Sequence, residues 1–217
     1  MKLPFSQQQF YDGFTAYHHA LWAAPYLLNA LALAMVLLLW RAPERAGRWV
    51  SLGLAGLWAW QALAYHLAFF WAVNPAAPFF AGVALAASAA FLAVGVLRPG
   101  LRFQPGRRRS AWAGLLLVVF ALLVYPAIGE WQGPGYPAAP SFGLPCPTTL
   151  FTFGILLMAV PPPPRLAVIA PLLWASIGSV AAWALDVVQD FGLFVAVALG
   201  LHMLLHSQGP AVSSSTP

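Results

Sequence analysis

Polar side chains that could bind a ligand, a metal ion or a proton are few in this chain, and most stand at the ends of long apolar runs. His66 lies inside such a run, and Asn74 ends it. An ionised or strongly polar side chain is costly in lipid, so in an apolar chain each one is a candidate for function. We predict that the candidate ligand-binding residues are His66, Asn74, Glu130, Cys146, Thr148, Thr149, Asp186 and Asp190.

Each candidate also has a purely structural interpretation. His66 could hydrogen-bond a carbonyl group of a neighbouring helix. Asp186 and Asp190 are one helical turn apart, and they could mark a solvated turn in which one of them caps the next helix. Glu130 has no arginine on its side of the predicted bundle, so it is solvated, bound to a histidine or bound to a ligand. The sequence leaves these alternatives open.

The segment 136–154 is the most distinctive part of the chain. Cys146 lies between Pro145 and Pro147, which stiffen the backbone and donate no amide hydrogens. Thr148 is predicted to cap the helix that follows, with the positive end of that helix directed into an outer vestibule. The alternative is a packed outer lid whose prolines only end helices. The single thiol fits an inert side chain, a soft-metal ligand or a redox target.

The elements that must position these residues follow from the composition. Of 217 residues, 61% are apolar and only 7% are charged, and the mean hydropathy is +0.78. Soluble domains carry about 25% charged residues, so this composition excludes a cytosolic enzyme, a nucleic-acid-binding domain and a disordered regulator. One cysteine excludes a disulfide within the chain, and no cysteine–histidine pattern indicates a structural zinc site, so no cofactor is predicted.

Long apolar runs predict an all-α, polytopic transmembrane helical bundle. A helix needs about 20 mostly apolar residues to cross the hydrocarbon core. The predicted spans cover residues 21–40, 49–73, 79–97, 111–128 and 148–160, followed by two helices within 166–205 that turn near Asp186 to Asp190. This count gives seven spans. The alternative has six, with 148–160 re-entrant because that run is short.

The charge distribution predicts the orientation of the bundle. With seven spans, all nine arginines fall in the loops of one side, and by the positive-inside rule that side faces the cytoplasm. The N-terminus is therefore expected outside and the C-terminus in the cytoplasm. The formal net charge of +5 indicates membrane topology rather than nucleic-acid binding.

Three regions are predicted along the chain. Residues 1–20 form an outer interfacial segment. Phe10, Phe14, Tyr17 and Leu21 recur at helical spacing, which predicts an apolar face lying along the outer leaflet. Residues 21–206 form a single helical-bundle domain, and residues 207–217 form a disordered tail.

Several motifs resemble one bacterial family. They are FxxYHHALWAAP over 14–25, AYHxxFFxxxNPAAP over 64–78, FGLPCPTTLFTFG over 142–154 and PLLWASIG over 171–178. Together they resemble the membrane proteins grouped as domain-of-unknown-function family 6064, and the Cys-Pro-Thr-Thr stretch is the most specific of them. The resemblance implies a small multi-span bacterial membrane protein, with no activity assigned and no binding residues to carry over.

Three functions are compatible with these observations. The first is a permease for a small solute or ion, with an outward-facing polar site in a bacterial inner membrane. The second is an accessory or structural subunit that binds a membrane protein partner. The third is a metal-handling membrane protein or enzyme that uses Cys146 with His66 or Glu130. The lipid bilayer is a partner in all three, and nucleic acid in none.

Overall fold

The computed structural model describes residues 4–98, 100–106 and 108–207, and within these ranges the regular structure is helical. An amphipathic helix opens the chain, and the elements after it alternate between the two ends of a bundle. The helices are α1 (Gln7–Ala20), α2 (Ala24–Arg41), α3 (Pro43–Trp60), α4 (Ala77–Phe91), α5 (Arg109–Val119), α6 (Tyr125–Trp131), α7 (Pro145–Leu156), α8 (Arg165–Leu185) and α9 (Gly192–His206).

Turns of π-helix and 3-10 helix extend several of these helices. The π-helical stretches Gln61–Leu67, Leu92–Leu97 and Phe120–Val124 continue α3, α4 and α5 without a break. The 3-10 turn Val188–Phe191 leads directly into α9. The extensions lengthen the apolar segments to membrane-crossing size, and π-helical turns are often found at functional sites.

Five helical segments of the described chain are long and apolar enough to cross a membrane. They are Ala24–Arg41, Ala77–Leu97, Arg109–Trp131, Arg165–Leu185 and Val188–His206. The predicted second span corresponds to the helix over 43–67, which is not among these five segments. The structure thus agrees with an all-α bundle and with five spans, and it does not confirm a count of seven.

Helix α7 corresponds to the short predicted span and is too short to cross a bilayer unaided. Its 12 residues extend about 18 Å, against a hydrocarbon core of roughly 30 Å. After α7, the amide of Val160 donates to Arg102 O at 2.7 Å in the loop before α5. Helix α7 therefore ends beside that loop, with its residues in the interior of the bundle.

Two glycines let α7 lie deep in the bundle. A Cβ atom at Gly114 of α5 would lie 2.4 Å from the carbonyl oxygen of Gly154 in α7, and one at Gly154 would lie 2.8 Å from the carbonyl oxygen of Gly114. Small residues at a helix contact allow the backbones to approach this closely. Every residue of α7 except Cys146 is buried as a result.

The helix ends and loops that carry arginines meet at one end of the bundle. Gly47, near the start of α3, packs against the carbonyl of Leu101 in the loop before α5, and that loop pairs with the residues after α7. Arg165 donates to Ser207 Oγ at 3.2 Å on the same side. Of the predicted disordered tail, only Ser207 lies within the described residues, and it is buried and hydrogen-bonded.

The predicted amphipathic helix exists, but its apolar face is covered by protein. Phe10, Phe14 and Tyr17 are all buried, and Phe14 stacks on Tyr65 with ring centroids 5.6 Å apart. Phe10 contacts Phe70 edge-on at 6.0 Å. The expectation that this face lies along the outer leaflet is therefore corrected. The spacing of apolar residues reveals a buried face, but it does not say whether lipid or protein buries it.

Candidate functional site

A chamber of about 330 Å³ lies beneath α1, at the end of the bundle opposite the arginines. Phe10 and Phe14 of α1, with Phe5 just before it, form its roof. Its sides come from the end of the α3 extension, the segment 140–147, α8 and the 3-10 turn before α9. The walls are almost entirely apolar and aromatic, which is typical of pockets for small organic molecules.

Four of the eight predicted site residues border this chamber. They are His66, Asn74, Cys146 and Asp190. They come from four different elements, separated by up to 124 positions in the chain. Their convergence places half of the predicted polar set around one cavity.

The other four residues lie elsewhere. Glu130 is exposed and accepts a hydrogen bond from the amide of Tyr136 at 2.9 Å. Asp186 is exposed and ends α8 with a left-handed backbone, at φ 52°. Thr148 and Thr149 are fully buried inside α7, and neither borders the chamber.

Two predicted helix caps are wrong. Helix α7 begins at Pro145 after Leu144, so Thr148 lies within its first turns and does not cap it. Asp190 is buried rather than solvated, and it makes no capping bond to α9. The hydroxyl of Tyr125 instead donates to Asp190 Oδ1. The carboxyl group of Asp190 therefore binds a side chain of another helix instead of the amides at the start of α9.

His66 is fully buried, and neither of its ring nitrogens has a hydrogen-bond partner among the described residues. Aromatic rings surround it, with the centroid of Trp174 at 4.9 Å and that of Phe80 at 5.9 Å. The expected bond to a neighbouring carbonyl is therefore not formed. Leaving a buried polar group unpaired costs about 1–3 kcal/mol, so the arrangement favours a partner from outside the chain.

Two residues that sequence reasoning missed share this property. The hydroxyl of Tyr65 and the indole nitrogen of Trp174 are buried and have no hydrogen-bond partner in the described part of the chain. Both residues border the chamber. Both lie within motifs that carried the family resemblance, at 64–78 and 171–178. These motifs could have pointed to the two residues, but aromatic side chains in an apolar helix are usually interpreted as part of the packed core.

Among the described residues, the chamber is bordered by one carboxyl side chain and by no lysine or arginine. Asp190 is 3% exposed and borders the cavity close to Cys146. No lysine or arginine borders it among the described residues. An anionic ligand would therefore meet a carboxyl group and no compensating cation.

Helix α1 is fastened over the chamber at both ends. Near its start, Gln7 Nε2 donates to Leu185 O at 2.5 Å. Near its end, Trp60 Nε1 donates to the Tyr17 hydroxyl at 2.9 Å. His18 lies 2.6 Å from Pro137 O through Nδ1 and 2.7 Å from Ser141 Oγ through Nε2.

The carbonyl partner decides which tautomer His18 adopts. A carbonyl oxygen only accepts, so Nδ1 carries the proton, and neutral Nε2 accepts from the Ser141 hydroxyl. Burial lowers the pKa of His18, and the hydrogen bond to Pro137 O opposes that shift only in part. His18 is therefore held neutral, with both nitrogens satisfied, in contrast to His66.

The arrangement of these side chains does not favour metal binding. No group of three or more histidine, cysteine, aspartate or glutamate side chains could hold a metal ion within residues 4–98, 100–106 and 108–207. Glu130, one proposed partner of Cys146, is on the exposed surface. The rings of His202 and His206 are tilted against each other with centroids 4.2 Å apart, and His206 Nδ1 is hydrogen-bonded to its own helix at His202 O.

Comparison with known proteins agrees with the resemblance noted in the sequence. A family model described as a family of unknown function (DUF6064) matches residues 7–212. No curated protein and no solved structure matches the chain.

Proposed function

The chain belongs to the family of unknown function DUF6064, and because that membership assigns no activity, we propose its function from the chamber. The protein is an integral membrane protein that binds a small, mostly apolar ligand beneath α1. The observation that carries this proposal is an apolar cavity of about 330 Å³ bordered by residues whose buried polar atoms have no partner among the described residues.

Membrane insertion is supported by the exposed side chains as well as by helix length. Trp183 is 76% exposed and Leu205 is 80% exposed, which suits a surface covered by lipid. We place the arginine-bearing end in the cytoplasm by the positive-inside rule. The chamber then lies in the outer half of the membrane, as expected for a bacterial inner-membrane protein with its N-terminus outside.

The size and walls of the chamber indicate the kind of ligand. A cavity of about 150 Å³ with apolar walls binds benzene, so this chamber suits a body of about two fused rings. Val180 borders the chamber and is also 50% exposed on the outer face of α8. A ligand dissolved in the bilayer could therefore enter from the side.

The geometry favours binding over permeation. A permease needs a path from the chamber to the arginine-bearing end, and the packed helix α7 fills that interior. Small apolar molecules also cross lipid without a carrier. An inorganic ion as cargo would meet mostly hydrocarbon walls, which do not replace its hydration.

Filling the chamber tests this proposal. Naphthalene serves as the ligand, in equilibrium dialysis against the protein in lipid nanodiscs, with empty nanodiscs as the background. Ala181 borders the chamber and Ala184 lies exposed on the same helix. We expect saturable binding to the native protein and to Ala184→Trp, and its loss in Ala181→Trp.

A second measurement covers the case in which Ala181→Trp does not fold. Cys146 is the single cysteine of the chain and borders the chamber, so N-ethylmaleimide reports on access to the cavity of the native protein. Naphthalene should slow its alkylation. Equal alkylation rates with and without naphthalene, or no saturable binding above empty nanodiscs, would overturn the proposal.

A further inference from the structure

Two residues that border the chamber, His66 and Trp174, carry unpaired nitrogen atoms, and their side chains are in contact. The rings of His66 and Trp174 meet edge-on with centroids 4.9 Å apart, and Phe80 packs against both, at 5.9 Å and 5.4 Å. His66 is fully buried and Trp174 is 6% exposed. We call these two residues the polar pole of the chamber.

The donors and acceptors of the polar pole define what can satisfy it. An indole N–H only donates, and a neutral imidazole offers one donor and one acceptor. An oxygen atom can accept from the indole N–H or from the imidazole N–H, and a hydroxyl group can instead donate to the unprotonated ring nitrogen. A purely hydrocarbon ligand would leave all three nitrogens unpaired.

The charges around the chamber exclude an ionised head group. An anion would lie near Asp190 with no lysine or arginine bordering the cavity in the part of the chain that the structure describes. An ammonium group needs acceptors, whereas the polar pole supplies mainly donors. Asp190 is also already engaged by the hydroxyl of Tyr125.

We infer that the ligand bound beneath α1 carries an uncharged hydroxyl or carbonyl oxygen, which accepts a hydrogen bond from Trp174 Nε1 beside His66. The apolar body of the ligand, about two fused rings, lies below the phenylalanine roof. This inference rests on the proposed function, since it names the chemical class of ligand for the same chamber.

A series of ligands with one body and different head groups tests the inference. The probes are naphthalene, 2-naphthol, 2-acetylnaphthalene, 2-naphthoate and 2-naphthylmethylammonium, with the protein in nanodiscs and partition into empty nanodiscs subtracted. We expect 2-naphthol and 2-acetylnaphthalene to bind about tenfold tighter than naphthalene, which is the effect of one added hydrogen bond. The two charged probes should bind no better than naphthalene.

Substitution of the indole donor gives the matched control. Trp174→Phe keeps an aromatic ring and removes the N–H, whereas Trp183→Phe makes the same change at an exposed position of α8. The preference for 2-naphthol should fall about tenfold in Trp174→Phe and stay unchanged in Trp183→Phe. Naphthalene affinity should change little in either variant.

The outcomes separate this inference from the proposed function. If naphthalene and 2-naphthol bind equally well, the inference fails and the apolar chamber remains a binding site. A preference for oxygen that survives Trp174→Phe, or tighter binding of a charged probe, also overturns the inference. If no member of the series binds saturably, the proposed function itself is wrong.

Discussion

The hydroxyl of Tyr125 donates to the carboxyl of Asp190, and this bond joins α6 to the 3-10 turn before α9. Both side chains are buried, with exposed fractions of 0% and 3%. Asp190 borders the ligand chamber. Among the described residues it is the one acidic residue that does so, and the bond to Tyr125 fixes its position.

Removal of that donor should destabilise the protein. Tyr125→Phe leaves a buried carboxyl oxygen unpaired, and we expect a loss of about 1–3 kcal/mol, measured as a lower midpoint of thermal unfolding in detergent. Tyr26→Phe is the control, because Tyr26 is exposed. Equal midpoints for Tyr125→Phe and Tyr26→Phe would show that the bond contributes nothing.

Two fully buried histidines should respond in opposite ways to the same substitution. His66 has no partner in the described chain, so His66→Phe should leave the stability of the ligand-free protein unchanged or raise it. His18 has two partners, so His18→Phe should destabilise by about 2 kcal/mol. Thermal unfolding of both variants at pH 8 checks this. A strongly destabilised His66→Phe would contradict the absence of a partner.

The lowered pKa of His18 predicts a pH dependence of stability. The unfolded state binds the proton near pH 6.5 and the folded state only at a lower pH. The stability that this histidine contributes is therefore fully present above pH 6.5 and is lost as the pH falls below it.

The difference between native protein and His18→Asn isolates this effect from other titrating groups. The midpoint temperature of unfolding should fall further between pH 8 and pH 5 for the native protein than for the variant. Identical losses would mean that His18 titrates alike in the folded and unfolded states.

The contact between α5 and α7 predicts different effects for two glycine-to-alanine changes. A Cβ at Gly114 meets a carbonyl oxygen at 2.4 Å, whereas a Cβ at Gly82 meets nothing within 4 Å. Gly114→Ala should destabilise by about 1–3 kcal/mol through overpacking. Gly82→Ala should be neutral or stabilise by up to about 1 kcal/mol, since alanine favours a helix. Unfolding midpoints in detergent distinguish the two, and a stable Gly114→Ala would contradict the close contact.

Cysteine labelling tests the proposed orientation. In a Cys146→Ser background, Asp12→Cys places a thiol on the exposed face of α1, and Gln104→Cys places one at the arginine-bearing end. A membrane-impermeant maleimide applied to intact cells or spheroplasts should label position 12 at once and position 104 only after permeabilisation. The reverse pattern would invert the orientation.

Much of the helical framework could be predicted because run length is a local property. The predicted span 79–97 corresponds to the apolar segment Ala77–Leu97, and the turn near Asp186 to Asp190 divides α8 from α9 as expected. The family resemblance was confirmed by a match over residues 7–212. Local hydropathy could not reveal that α1 lies across the bundle, because protein and lipid bury the same apolar face.

The candidate site was predicted only in part, for the same physical reason. Asp186 and Asp190 are four residues apart, yet one is exposed at a helix end and the other is buried by its bond to Tyr125, 65 positions away. Helical spacing alone suggested that they could face the same way. A contact with another helix decided otherwise.

The sequence by itself determined that this chain is a bundle of apolar helices, since composition and run length suffice for that. Only the tertiary structure decided which polar groups meet and which are paired. His18 finds its partners 119 and 123 positions away, while His66, equally buried, has no partner among the described residues. Pairing at such separations depends on how helices pack, and no local pattern of residues encodes it.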